Sequence, residues 1–174
     1  MFINSILSKC SVVKQHMAFW EGSTVMVEAW YYVENSSSTD WLWLMDFEEN
    51  TAIGAGPGLR LAVFEDALIL NYKLEAGDNT KQPDETKVVF PMDQWVHVQM
   101  EVFLSQKKKG WVKVYQDSEL LIHDTDVRTL PVDKLYHTQG TKGQYTNIEF
   151  GITANGTGAH QVLYLDDVKA EVID

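Results

Sequence analysis

Two segments, Trp95-Val-His-Val-Gln-Met-Glu-Val-Phe-Leu104 and Gly110-Trp-Val-Lys-Val-Tyr-Gln116, decide the fold of this chain. In both, small apolar residues alternate with larger or polar residues at a period of two, the pattern of a β-strand with one buried face. The segment between them, 105–109, is polar, and Gly110 can adopt the backbone conformations that a tight turn needs. We therefore predict an antiparallel hairpin over residues 95–116.

The same alternation recurs on both sides of the hairpin. Further strands are predicted at 23–33, 41–47, 59–64, 67–74, 147–153 and 161–172, with polar or glycine-rich loops between most of them. No segment has the pattern of an amphipathic helix longer than two turns. About ten strands with turn signals between them predict an all-β fold, a two-sheet antiparallel β-sandwich.

Residues 20–174 are predicted to form a single domain of this kind. The N-terminal segment, residues 1–19, stays unassigned, because Ile3 to Val13 fits either a short helix or an edge strand. The first ten residues have neither a basic region nor an apolar run long enough for a signal peptide, so the compartment stays open. Cys10 is the only cysteine, which excludes an intramolecular disulfide.

Charge and hydropathy narrow the classes of partner. The 174 residues carry a formal net charge of −11, from 14 lysines and arginines against 25 aspartates and glutamates. A nucleic-acid-binding protein needs a stripe of basic residues to displace counterions, so we predict no nucleic-acid partner. No stretch approaches the roughly 20 apolar residues of a membrane helix, so we predict no membrane partner.

Four segments, in this order, resemble the concanavalin A-like jelly roll of lectins and glucanases, a superfamily that includes laminin-G-like domains and polysaccharide lyases. They are Val25-Met-Val-Glu-Ala-Trp30, Asp93-Gln-Trp-Val-His-Val98, Gly110-Trp-Val-Lys-Val-Tyr-Gln-Asp117 and Leu163-Tyr-Leu-Asp-Asp-Val168. The resemblance covers residues 20–174 and implies a jelly-roll sandwich. It also implies a carbohydrate partner and an extracellular location.

The resemblance to alginate-lyase-like members is incomplete at the residues that carry their chemistry. Those enzymes have an Arg-x-Glu-x-Arg strand and a Tyr-x-Lys-x-Gly-x-Tyr strand, which supply charge neutralisation and a proton donor for β-elimination. The corresponding strands here keep Glu28 and Gly151, but neither arginine is present and Thr153 replaces the tyrosine. The sequence therefore favours a protein that is not a lyase of this type.

In this architecture the outer, concave face of one curved sheet usually carries the ligand. The polar positions of the alternating strands are predicted to share that face. The predicted ligand-binding residues are Glu28, Trp30, Arg60, His97, Gln99, Glu101, Lys113, Tyr115, Asn147 and Glu149, together with Tyr32, Asn71 and Lys73. Aromatic rings stack on the C–H faces of sugars, and amides and carboxylates bind hydroxyls. The alternative is an ordinary solvated sheet face, which is also polar.

Three smaller sets of residues have hypotheses of their own. Glu101 and Glu149 would form the carboxylate pair of a glycoside hydrolase if their strands were neighbours. Asp166 resembles the position that holds a structural calcium ion in many jelly rolls, and its candidate partners are Asp46, Glu48 and Glu49. Trp41 and Trp43 alternate in phase with Met45 and Phe47, and so much apolar bulk predicts packing in the core.

Three functions follow from these observations. The first is a non-catalytic, lectin-like module that binds a poly- or oligosaccharide on its concave sheet. The second is a divergent polysaccharide lyase or glycoside hydrolase that uses Glu101 or Glu149. The third is a structural or protein-interaction sandwich without a small ligand, which would form a homodimer through its exposed face or an edge strand.

Overall fold

A computed structural model of the chain describes residues 2–5, 10–14, 17–35, 41–48, 50–51, 54–55, 58–73, 78–131, 143–155 and 161–174. These residues contain sixteen β-strands and a single turn of 3₁₀ helix at Asp84–Thr86. The strands are β1 (Phe2–Ser5), β2 (Cys10–Lys14), β3 (Phe19–Trp20), β4 (Thr24–Val33), β5 (Trp41–Glu48), β6 (Asn50–Thr51), β7 (Gly54–Ala55), β8 (Leu59–Phe64), β9 (Ala67–Tyr72), β10 (Asp78–Lys81), β11 (Trp95–Phe103), β12 (Gly110–Gln116), β13 (Glu119–Val127), β14 (Gln144–Tyr145), β15 (Asn147–Asn155) and β16 (Gln161–Val172).

Two six-stranded sheets make up the fold. Sheet I has the order β1-β16-β4-β11-β12-β13, and sheet II has the order β10-β9-β8-β5-β15-β2. Every pairing within both sheets is antiparallel. The prediction of an all-β, two-sheet jelly-roll sandwich is therefore confirmed. In the part of the chain that the structure describes, no helix is long and apolar enough to cross a membrane.

The hairpin lies at the centre of sheet I. β11 pairs with β12 over six residue pairs that end at Phe103 and Trp111, and with β4 on its other side. The alternation that predicted these strands places their valines inside: Val98, Val102 and Val112 are completely buried between the sheets. Burial of one face of each sheet against the other supplies the main stabilisation of such a sandwich.

One hydrogen bond crosses the core directly. Tyr31, on β4 of sheet I, is completely buried, and its hydroxyl donates to the carbonyl oxygen of Leu44 on β5 of sheet II at 3.2 Å. Burial raises the pKa of Tyr31, so its hydroxyl stays protonated and remains a donor. This bond sets the C-terminal part of β4 against the centre of β5.

A β-bulge in β5 changes which face its side chains occupy. The register pairs Trp43 with Ala62 and Met45 with Leu61, so one extra residue lies between them on β5. Trp43 and Asp46 consequently point to the same, outer side of sheet II, although an uninterrupted strand would place them on opposite sides. The prediction that Trp41 and Trp43 share a core face with Phe47 is wrong for this reason: both tryptophans are only partly buried, whereas Phe47 is completely buried.

The N-terminal segment contributes an edge strand to each sheet. β1 pairs with β16 at one edge of sheet I, and β2 pairs with β15 at one edge of sheet II. Of the two structures that fit Ile3 to Val13, the structure therefore shows strands within its described residues.

Candidate functional site

A continuous row of polar residues crosses the outer face of sheet II. The register sets Asn79, Asn71, Arg60, Asp46 and Glu149 opposite one another on β10, β9, β8, β5 and β15. Neighbouring strands lie about 4.8 Å apart, so these five residues, the polar row, span roughly 19 Å. A surface of that length, lined by amides and charged groups, can contact several units of a linear ligand.

Three more polar residues lie beside the row on the same face. Glu48 is opposite Asn147 in the register of β5 and β15. Lys73 directly follows β9, and its Nζ lies 2.6 Å from Glu48 Oε1 and 3.1 Å from Asp46 Oδ1. The polar row together with Lys73, Glu48 and Asn147 is called the outer site below.

Most residues of the outer site are recessed. Asp46, Glu48, Asn71 and Glu149 are 5–6% exposed and Asn147 is 9% exposed, although none of them points into the core between the sheets. On a plain solvated sheet face such residues would be largely exposed. Five of the eight residues of the outer site are therefore recessed, whereas Asn79 is exposed and Arg60 and Lys73 are half-buried.

Arg60 lies near the middle of the row, stacked on an aromatic ring. Its guanidinium carbon lies 4.4 Å from the centroid of the Trp43 ring. This contact exists because the bulge in β5 brings Trp43 to the outer face. Stacking on an indole ring restricts the guanidinium group while it can still donate hydrogen bonds at its edge.

Asp46 is the carboxyl group of the outer site whose protonation is most altered. Burial raises its pKa to about 7, against the opposing attraction of the Lys73 ammonium, and the neighbouring Glu48 carboxylate raises it further. A carboxyl group with a pKa near neutrality can donate or accept a proton under ordinary conditions.

Several buried atoms of the outer site lack a hydrogen-bond partner among the described residues. They include Oε2 of Glu48, Nε of Arg60 and Oδ1 of Asn147. Buried polar atoms in folded proteins are nearly always satisfied, and those that are not commonly mark a functional site. One donor and two acceptors of the outer site are thus buried and unsatisfied within the described part of the chain.

The other predicted site residues lie on the opposite side of the molecule. Glu28, Trp30, His97, Gln99, Glu101, Lys113 and Tyr115 are all on the outer face of sheet I, on β4, β11 and β12. Only Arg60, Asn147 and Glu149 of the ten predicted ligand-binding residues, with Asn71 and Lys73, are on sheet II. The structure therefore does not bring the predicted set together on one face, because alternation alone cannot show to which sheet a strand belongs.

On sheet I, the polar residues contact one another both across strands and along one strand. His97 Nε2 lies 3.3 Å from Glu28 Oε2, and the His97 ring lies 5.1 Å from that of Trp30. Gln99 Nε2 donates to Glu101 Oε1 at 3.0 Å. These side chains are exposed or half-buried, as expected for a face in contact with solvent.

The structure separates the residues of two predicted groups. Glu101 and Glu149 belong to different sheets, so their strands are not neighbours and they do not form a glycosidase pair. Asp166 is exposed on sheet I, whereas Asp46 and Glu48 are on sheet II. Glu49 lies outside the described residues. No group of three or more His, Cys, Asp or Glu residues that could hold a metal ion is found in the described ranges, and calcium binding stays a prediction.

Sequence reasoning missed Asp46 and Glu48 as members of the outer site and considered them only as calcium partners. Alternation with the buried Met45 and Phe47 already places both on the outer side of β5, but it cannot show that β5 lies between β8 and β15, beside the other polar residues. The signal that could have located them is chemical: two carboxylates two residues apart in an otherwise apolar strand need a cation nearby. That cation is Lys73.

A family model described as polysaccharide lyase matches residues 8–169 of the chain. No match to a curated protein sequence was found.

Solved structures of similar fold include several polysaccharide-degrading enzymes. An endo-β-1,4-glucuronan lyase from the fungus Trichoderma reesei is 11% identical, with a TM-score of 0.67 over 96% of this chain and 78% of that chain. The alginate lyase Aly36B is 12% identical, with a TM-score of 0.65 over 96% of this chain and 78% of that chain. The PL-14 alginate lyase from Aplysia kurodai is 16% identical, with a TM-score of 0.56 over 89% of this chain and 72% of that chain. At these identities the likeness is one of fold.

Proposed function

The chain belongs to the polysaccharide lyase family, and from this premise we propose that it binds a polysaccharide chain on the outer site of sheet II. The observation that carries the proposal is the polar row, in which residues from five strands lie in register and three of them, Asn71, Asp46 and Glu149, are recessed. Its length of roughly 19 Å suits an extended oligosaccharide better than a single small molecule.

The chemistry of the outer site fits sugar hydroxyls. A hydroxyl both donates and accepts hydrogen bonds. It therefore complements Arg60 Nε as an acceptor and Glu48 Oε2 or Asn147 Oδ1 as a donor, and because these atoms are buried, their side chains must turn outward to meet a bound sugar. The partly buried ring of Trp43 adds an apolar surface beside these groups, of the kind on which sugar C–H faces stack.

Binding without cleavage is the form of this function that the described residues support best. The Lys73 ammonium is held between the carboxylates of Asp46 and Glu48, so it is engaged within the protein. The described histidines, His97 and His123, are on sheet I. A lectin-like role needs only the hydrogen-bonding groups and the aromatic ring of the outer site.

A divergent lyase is the second candidate, favoured by one specific observation. Asp46, next to Arg60 in the row, has a pKa near 7 and can therefore exchange a proton at neutral pH. The family and the glucuronan and alginate lyases of similar fold add support for this candidate, and a variant of Aly36B has been solved in complex with an alginate trisaccharide. In this form of the function Asp46 would transfer a proton to or from the bound sugar.

The binding proposal is tested by titrating the protein with neutral β-glucan, glucuronan and alginate oligosaccharides. We expect Arg60→Met to lower the affinity for the sugar by about tenfold or more, since a hydrogen bond to a charged group contributes about 1.5–3 kcal/mol. Tyr115→Ala on the outer face of sheet I is the matched control and should bind the same sugar as the unmodified protein does. Loss of binding in Tyr115→Ala but not in Arg60→Met would place the ligand on the wrong sheet for this proposal.

The same panel distinguishes binding from cleavage. β-Elimination creates an unsaturated sugar that absorbs ultraviolet light, so the second candidate predicts absorbance that grows with time and is lost in Asp46→Asn. Binding with no absorbance change supports the lectin-like form.

Repeating the titration with a chelator tests whether binding needs calcium. If no sugar of the panel binds, the third hypothesis, a protein-interaction domain that forms a homodimer, becomes the better explanation. Light scattering would then measure the oligomeric state.

A further inference from the structure

Three aromatic residues form a row of their own at one end of the outer face of sheet I. The register sets Tyr164, Tyr32 and Trp95 side by side on β16, β4 and β11. The Tyr32 ring meets both neighbours edge to face, with centroid distances of 5.6 Å to Tyr164 and 5.8 Å to Trp95. These contacts hold the three rings in fixed orientations, because aromatic pairs favour this geometry.

A carboxylate completes the arrangement. Tyr164 donates its hydroxyl hydrogen to Glu34 Oε1 at 2.9 Å, and Tyr32, Glu34, Trp95 and Tyr164 line a shallow depression of about 260 Å³. Pockets for drug-sized ligands enclose roughly 300–1,000 Å³. The depression is thus of the size for one ring of a larger ligand.

The aromatic surface here is unusually exposed. Trp95 is 45% exposed. Trp30, two residues before Tyr32 on the same face of β4, is 38% exposed. Scattered single apolar side chains are normal on a protein surface, but contiguous aromatic patches rimmed by polar groups mark binding sites. The outer face of sheet I therefore has a rigid aromatic surface directed at solvent.

The polar groups around this surface are acidic. Asp117 accepts a hydrogen bond from the His97 backbone, Asp93 accepts one from the Asn35 backbone, and Asp166 lies opposite Trp30 in the register. Together with Glu34, these carboxylates repel anionic ligands in a protein that already carries a net charge of −11. Carboxylates do bind sugar hydroxyls, which donate to them.

We infer that the depression formed by Tyr32, Glu34, Trp95 and Tyr164 is a second glycan-binding subsite, which takes a pyranose ring of a neutral polysaccharide. The sugar ring stacks on Trp95, and its hydroxyls donate to Glu34. The inference rests on the proposed function for one point only, that the ligand is a polysaccharide. The location of the subsite is independent of it, since the subsite is on sheet I and the outer site is on sheet II. A chain bound here is anchored while the outer site remains free for another segment.

The test uses three neutral hexasaccharides, of β-1,4-linked glucose, mannose and xylose, titrated by calorimetry. Trp95→Ala should weaken binding of at least one of them by about fivefold, because one aromatic contact contributes roughly 1 kcal/mol and the ring is the main stacking surface. Trp20→Ala is the matched control: Trp20 is an equally exposed tryptophan at 42%, beyond the opposite end of β4. It should bind as the unmodified protein does.

A second pair of variants examines the role of Glu34. Tyr164→Phe keeps the ring and removes only the hydroxyl, so a loss of threefold or less is expected. Glu34→Gln removes the negative charge and should raise the affinity for an alginate hexasaccharide at low salt, because the repulsion is then reduced. The inference would be overturned if Trp95→Ala bound all three neutral sugars as tightly as the unmodified protein does. It would also be overturned if the folded, unmodified protein bound none of them.

Including Arg60→Met in the same series separates this inference from the proposed function. Sensitivity to Trp95→Ala alone supports the subsite on sheet I and counts against the outer site. Sensitivity to Arg60→Met alone does the reverse. Binding of a cationic chitosan oligosaccharide that depends on Trp95, with no neutral sugar bound, would overturn the inference in favour of a cation-binding aromatic site.

Discussion

Asp46 and Glu149 face each other in register on β5 and β15, so two carboxylates occupy adjacent positions at one end of the polar row. Like charges directly opposite each other destabilise a sheet. Two features offset this cost: Lys73 binds Asp46 on the outer face, and Arg60 is its register partner on β8. The outer site is thus a network of mutually dependent charges.

The protonation of Asp46 should make stability depend on pH. Its pKa rises from 3.8 to about 7 on folding, so between these pH values the folded protein holds a proton that the unfolded chain has released. The contribution is therefore present below pH 3.8 and is lost as the pH rises through 7. Relative to Asp46→Asn, the unmodified protein should lose on the order of a few kcal/mol over this range. Urea unfolding of both proteins at a series of pH values measures the difference; parallel curves would contradict the prediction.

Lys73 should be important for stability as well as for the site. Lys73→Met leaves the carboxylates of Asp46 and Glu48, which are 8% and 7% exposed, without their ammonium partner. We expect the free energy of unfolding to fall by about 2–4 kcal/mol, since an uncompensated buried charge is costly.

The control is Lys81→Met. Lys81 pairs with Glu65 at 3.2 Å, but both side chains are more than half exposed. Exposed ion pairs contribute about 0–1 kcal/mol. Equal losses in the two variants, measured by chemical unfolding, would show that the recessed position of the Lys73 network has no energetic consequence.

Gly58 should be irreplaceable at the start of β8. A Cβ added there would lie 1.6 Å from the carbonyl oxygen of Phe47, so the backbones of β5 and β8 could not keep their separation. Gly58→Ala should cost at least about 3 kcal/mol. In Gly22→Ala no described atom lies within 4 Å of the added Cβ, and only the positive φ of 91° opposes the change; a cost of about 1–2 kcal/mol is expected there. Thermal unfolding that ranked the two variants in the opposite order would be incompatible with this explanation.

Asp124 should hold the two sheets together at one edge. On β13 of sheet I, its Oδ2 accepts hydrogen bonds from Tyr72 at 2.8 Å and from Thr80 at 2.6 Å, both on sheet II. Burial, and next the bond to Asp124, raise the pKa of Tyr72, so its hydroxyl remains a donor. Asp124→Ala removes the acceptor of both hydroxyls and should cost about 2 kcal/mol.

Thr125→Ala, at the exposed neighbouring position, serves as the control and should cost less than about 0.5 kcal/mol. Hydrogen exchange of the β9 and β10 backbone amides gives a second readout, because opening of this edge should speed their exchange in Asp124→Ala. Unchanged exchange together with unchanged stability would show that the contact does not join the sheets.

Some of the binding surface could be predicted before the structure, and some could not. Arg60, Asn71, Lys73, Asn147 and Glu149 were identifiable because they occupy polar positions in alternating strands. Their separation from Trp30, His97 and Tyr115 was not, because alternation assigns a residue to a face of its strand and says nothing about the sheet. The row Tyr164, Tyr32 and Trp95 depends on register between strands up to 132 positions apart in the chain.

By itself the sequence determined the local structure: the strands, the hairpin of β11 and β12, and the alternation that buries Val98 and Val112. These features depend on neighbouring residues, since a side-chain period of two and a polar turn are properties of short segments. Only the tertiary structure decided the order of strands, the bulge that brings Trp43 to the outer face, and the pairing of Lys73 with two carboxylates. Those depend on which distant segments hydrogen-bond and pack together, and such long-range register is set by the burial of whole sheet faces.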